Sequence, residues 1–152
     1  MCVLCHARPW CTPSIVNRWV QAARPLAHVN IAMPLVYGQA LAYATRGTFS
    51  WRWTAVIAAY GVLNHLFIVF ANDYADRDTD PLQTDPTPFS GGSRVLPEGK
   101  LKARDLLQAA WTAWTLMVVL AALAAWLGHR WWAVPLVGAA SILLHAYSFR
   151  PL

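Results

Sequence analysis

The chain has 152 residues, about one ordinary domain, but 57 % of them are apolar, only 12 % are charged and nine are Trp. That composition excludes an ordinary soluble domain and indicates several membrane spans with aromatic residues at the interfaces. A formal charge of +5 raises nucleic acid as a partner, but the basic residues flank apolar stretches and form no stripe, so none is expected.

Residues 1–13 read as a disordered leader. Cys2-Val-Leu-Cys5-His6 spells a haem-attachment pattern, but no export signal precedes it. A zinc site built on Cys2, Cys5 and Cys11 lacks a fourth ligand and a folded knuckle. From 14 to 24 the pattern predicts a short basic amphipathic helix lying on a membrane surface, with Ser14 as N-cap and Ile15, Trp19 and Val20 on one side. Four apolar spans are expected at about 25–45, 53–72, 106–127 and 131–149. Pro34 is expected to kink the first. Trp51, Trp53, Trp131 and Trp132 fall where interface anchors belong. Gly128-His129-Arg130 is so short a turn that the last two spans must run antiparallel. The fold class is therefore all-α, a multi-span transmembrane helical bundle.

The acidic residues, seven in all, lie between Asp73 and Asp105, and most belong to Asn72-Asp73-Tyr-Ala-Asp76-Arg-Asp78-Thr-Asp80. If the second span stays helical through this motif, Asp73, Asp76 and Asp80 fall within about 60° of one another and Asp78 lies opposite. Three carboxylates on one face repel unless a counter-ion joins them, and Mg²⁺, which completes its shell with water and phosphate, suits them. An EF-hand calcium loop starting at Asp76 is excluded, because Pro81 takes its glycine position and Thr87 its glutamate position. Within the hydrophilic segment 73–105, Ser90-Gly-Gly-Ser-Arg94 offers backbone N–H groups to an anion and a guanidinium fork to phosphate. His65, on the aspartate side of its span, reads either as a cavity-lining residue or, more commonly for such a residue, as a helix–helix hydrogen bond. Asn64 reads as packing. Lys100 and Lys102 are accounted for by topology: Lys and Arg concentrate on the side of both termini and the acidic loop, which the positive-inside rule places in the cytoplasm.

Asn72-Asp-x-x-Asp76-x-x-x-Asp80 after an apolar helix resembles the first aspartate-rich motif of the UbiA superfamily of intramembrane prenyltransferases. Ser90-Gly-Gly-Ser-Arg94, Arg24-Pro25 and Tyr147-Ser148 are supporting similarities, and the resemblance covers about residues 15–152. It implies a bundle of eight or nine helices, of which four spans are about half. It also implies transfer of an isoprenyl group from a polyprenyl diphosphate to a lipophilic acceptor, often an aromatic quinone precursor such as 1,4-dihydroxy-2-naphthoate or 4-hydroxybenzoate. Carried over, Asp73, Asp76 and Asp80 would hold Mg²⁺ on the diphosphate beside Asn72. Arg94 and Arg24 would contact phosphate, and Tyr147 and Ser148 would lie near the same site. The setting expected is a bacterial inner membrane. The family's second aspartate-rich motif has no counterpart here, since no acidic residue follows Asp105. The expectation is thus a fragment inactive alone. A non-catalytic binder of prenyl diphosphate, or one part of a split enzyme completed by a partner chain, stays open beside it.

Overall fold

The computed structural model describes residues 15–80, 92–129 and 131–148. The leader with its three cysteines, Ser14, the Pro81–Gly91 part of the loop, Arg130 and the last four residues lie outside the described residues. Those described form five α-helices and no strand: α1 (Ile15–Ala23), α2 (Val29–Arg46), α3 (Trp51–Ala75), α4 (Ala103–Leu127) and α5 (Ala133–Ser148). A 3₁₀ turn, Pro25–His28, leads into α2, and a second, Asp76–Asp78, follows α3.

Helices α3 and α4 have 25 residues each. That is roughly 37 Å of rise against a hydrocarbon core of about 30 Å, and both are apolar enough to cross a membrane. They form the most extensive helix pairing among the described residues. Of the other two expected spans, α2 has 18 residues with Pro34 inside it and α5 has 16. Gly61 permits the close approach of α2 to α3, since a Cβ there would collide with the Leu35 side chain. Outward faces carry Leu116, Val119 and Leu123 on α4 and Leu136, Ile142 and Leu143 on α5. So much exposed apolar surface suits lipid contact.

The buried core among the described residues lies at the end of α3 that leads into the acidic motif. There Phe67, Phe70 and Ala71 of α3 meet Leu106, Ala110 and Ala113 of α4, Ala22 of α1 and Val95 of the loop. This corrects one part of the expectation for α1, that Trp19 shares a face with Ile15 and Val20. Its inward stripe is Trp19, Ala22 and Ala23, with the Trp19 ring edge-on to Phe70 at 5.8 Å, while Ile15 and Val20 stay exposed. Two alanines one turn beyond Trp19 let α1 sit directly on α3, so Trp19 is drawn into protein contact and parts from the apolar face it was expected to share.

Candidate functional site

The acidic motif does not continue as α-helix. α3 ends at Ala75, with the Asp76 N–H donating to the Asn72 carbonyl, and Asp76–Asp78 tightens into a 3₁₀ turn. The Thr79 N–H and hydroxyl both donate to the Asp76 carbonyl at 2.9 and 3.0 Å, so the turn is closed locally. The stacked face expected for three aspartates in one helix is therefore replaced by a bend that returns Asp80 towards Asp73.

Both carboxylates meet the loop at Gly92. Its φ is +66°, and a Cβ added there would collide with Asp80 Oδ2 and stand 3.1 Å from Asp73 Oδ1. Only a glycine allows the backbone this close, and only a glycine adopts this conformation without strain. Asp73 is 4 % exposed. Its Oδ1 accepts the Ser93 N–H at 3.1 Å, whereas its Oδ2 is buried with no hydrogen-bond partner. Burial pushes the Asp80 carboxyl above the usual range and repulsion from Asp76 adds to this, against the pull of Arg94 and Arg24. Asp76 is thus within electrostatic reach of Asp80, and Arg24 acts on both Asp73 and Asp80. Among the described residues, no three His, Cys, Asp or Glu side chains enclose a metal position by themselves.

The two arginines reach this corner through unusual backbone. Arg24 has φ 45° and ψ 59° and Arg94 has φ 61°, both left-handed, a conformation that costs a non-glycine residue about 1–2 kcal/mol. Arg24 sits between α1 and Pro25, where its N–H donates to the Gln21 carbonyl at 3.2 Å. Behind it, His65, 5 % exposed, uses Nε2 to donate to the Ala23 carbonyl at 2.8 Å. The His28 ring packs edge-on to it at 5.0 Å. Of the two readings of His65, the helix–helix hydrogen bond is the one realised. The Arg94 Nε faces Glu98 at 3.8 Å, and its buried Nη1 has no hydrogen-bond partner among the described residues.

Residues 92–101 form a compact cap plugged into the core by Val95, which is fully buried. The Val95 carbonyl accepts N–H groups from Lys100 and Leu101. α1 grips this cap from outside: Gln21 Nε2 donates to the Ser93 carbonyl at 2.8 Å, Lys100 Nζ donates to Gln21 Oε1 at 2.8 Å, and Arg18 donates to the Lys100 carbonyl at 3.4 Å. Lys100 also pairs with Glu98 at 2.6 Å, and its hydrogen bond, more than any other influence, holds the Glu98 carboxyl below the usual range.

The structure thus brings Asp73, Asp80, Gly92, Ser93 and Arg94 together, with Arg24 and Asp76 within electrostatic reach. Asn72 is half-buried at the helix end. Asp78 points away, 79 % exposed and paired with Arg77 at 3.3 Å, while Arg77 is held over the Tyr74 ring at 4.5 Å. Tyr147, on α5, is 72 % exposed, and its hydroxyl makes no hydrogen bond among the described residues. Ser148 ends α5 and its side chain is not described, and Ser90 and Gly91 lie outside the described residues. Gln21 and Glu98 were not legible as site neighbours, because one glutamine on a short helix and one glutamate in a loop carry no motif.

A family model described as the UbiA prenyltransferase family matches residues 31–152. No match is found among curated proteins or among solved structures.

Proposed function

The chain belongs to the UbiA prenyltransferase family, whose members are membrane-integral and act on prenyl diphosphates, and from that membership we propose that the Asp73–Asp80–Arg94 corner captures the diphosphate of a polyprenyl substrate with the help of Mg²⁺. The observation that carries the reading is Asp73: one oxygen is satisfied by the Ser93 N–H while the other is buried without a partner. An unpaired buried carboxylate oxygen is costly, and a bound cation relieves that cost. The donor set suits Mg²⁺ for the same reason that it encloses no metal alone: this ion takes one or two carboxylates and fills the rest of its shell with water and phosphate. Asp73 and Asp80 would hold it, with Asp76 at the rim. When bound, the ion supplies neutralisation of charge on the departing diphosphate.

The chain's own residues do the remaining work. Arg94, with an unpartnered donor on a preformed left-handed turn, forks onto phosphate oxygens, and Arg24 adds positive charge from the α1 side. Asn72 shapes the helix end that presents Asp73. The apolar faces of the helices accommodate the prenyl tail and keep water from a carbocation formed at the allylic carbon. The acceptor is taken to be an aromatic quinone precursor such as 1,4-dihydroxy-2-naphthoate or 4-hydroxybenzoate. The distribution of Lys and Arg supports a cytoplasmic position for the acidic corner, and the membrane is taken to be a bacterial inner membrane.

The test is binding of geranyl diphosphate to the 152-residue chain in lipid nanodiscs, with and without Mg²⁺. Asp73→Asn should abolish the Mg²⁺-dependent part, and Asp78→Asn, altering an exposed residue, should leave it within about twofold, as surface changes of less than about 0.5 kcal/mol do. Equal losses in the two variants, or binding indifferent to Mg²⁺, would refute the assignment.

A further inference from the structure

We propose that Gln21 is a positioning residue for this site: its side-chain amide holds the Gly92–Arg94 turn in the orientation that aims the Ser93 N–H at Asp73. The proposal rests on the reading of that corner as a diphosphate site and extends it to a residue outside the acidic and glycine motifs.

Gln21 lies 72 residues from Ser93 and 79 from Lys100 in the chain, yet it is hydrogen-bonded to both. Ser93 is buried and held from two sides. Its N–H donates to Asp73 Oδ1 and its carbonyl accepts from Gln21 Nε2. With both its N–H and its carbonyl tied, the residue cannot rotate, and the left-handed Gly92 and Arg94 on either side of it are fixed with it. The same glutamine uses its backbone carbonyl to accept the Arg24 N–H, so one residue closes the turn that carries Arg24 and holds the turn that carries Arg94. Only a carboxamide can do this. The amide nitrogen must donate to a carbonyl while the amide oxygen accepts from the Lys100 ammonium. A glutamate of equal size keeps the second contact and strengthens it, but it turns the first into two oxygens facing each other. A methionine loses both.

The experiment compares the full chain in nanodiscs with Gln21→Glu, Gln21→Met and, as a control for the rim, Lys100→Met. Hydrogen exchange of the 92–95 amides is measured without ligand, and geranyl diphosphate binding is measured with Mg²⁺. Gln21→Glu strands the Ser93 carbonyl and sets a second carboxylate beside Glu98, so it should lower the thermal midpoint by a few degrees and leave the chain folded, with Lys100 still paired. It should speed exchange at Ser93 by about tenfold and weaken diphosphate binding by about tenfold, the scale of one buried hydrogen bond. Lys100→Met, which leaves the Gln21–Ser93 bond in place and removes only the contact to the amide oxygen, should change both by less than Gln21→Glu does; an effect of Lys100→Met equal to that of Gln21→Glu overturns the proposal. Unchanged Ser93 exchange in Gln21→Glu overturns the proposal whatever the binding result. Faster exchange with undiminished binding overturns it too, reducing Gln21 to a packing role. Failure of the unaltered chain to bind geranyl diphosphate refutes the site itself, and is told apart because the exchange comparison involves no ligand.

Discussion

Two glycines of the same loop separate backbone strain from the close approach that builds the site. Gly92 and Gly99 have nearly the same φ, +66° and +65°, so an alanine at either costs about 1–2 kcal/mol of left-handed strain. At Gly99 nothing lies within 4 Å of the new methyl group, whereas at Gly92 the methyl collides with Asp80 Oδ2 and presses on Asp73 Oδ1. Asp73 is buried on α3 and tied to Ser93, so Asp80 must yield and the two carboxylates separate. Gly99→Ala is therefore expected to lower the unfolding free energy in detergent by about 1–2 kcal/mol and to leave Mg²⁺-dependent geranyl diphosphate binding intact. Gly92→Ala is expected to lose at least as much stability and, in addition, about tenfold or more in affinity, which is about 1.4 kcal/mol or more. Unfolding by heat or by SDS gives the first quantity, and titration in nanodiscs gives the second. Equal affinities for the two variants would refute the idea that Gly92 is glycine because the carboxylates need its space.

His65→Ala removes the donor to the Ala23 carbonyl and should destabilise the chain by about 1–3 kcal/mol, the cost of stranding a buried acceptor. Protease sensitivity should then rise in α1 before α3 or α4. Glu98 gives a pH signature. Its carboxyl is held below its ordinary value of 4.5, chiefly by the Lys100 hydrogen bond, so the stability it contributes is present above that ordinary value and is lost as pH falls through the lowered folded value. Glu98→Gln should cost less than about 1 kcal/mol at pH 7, as befits a partly exposed pair. The difference from the unaltered chain should shrink as pH falls below 4.5 and through the lowered folded value, when both are followed by thermal unfolding; a difference that does not shrink with falling pH would rule out charge as its cause.

Much of this molecule is written locally. The apolar runs that become α3 and α4, the confinement of acidic residues between Asp73 and Asp105, and the exclusion of Asp78 from the cluster all follow from composition and from periodicity within a few turns. So does the family resemblance, since it rests on residues spaced three or four apart. Those features are legible because helix geometry relates near neighbours in the chain whatever else is present. The site itself depends on distant pairs. That Asp80 returns to Asp73 through a 3₁₀ bend, that Gly92 is wedged between their carboxylates, and that Gln21 holds Ser93 across 72 residues are outcomes of how α1, the loop and α3 dock. No period in the sequence encodes that docking, and α1 shows the reason. Its periodicity allows Trp19 to face outward with Ile15 and Val20 or inward with Ala22 and Ala23, and only the fit of that second stripe against α3 decides between them.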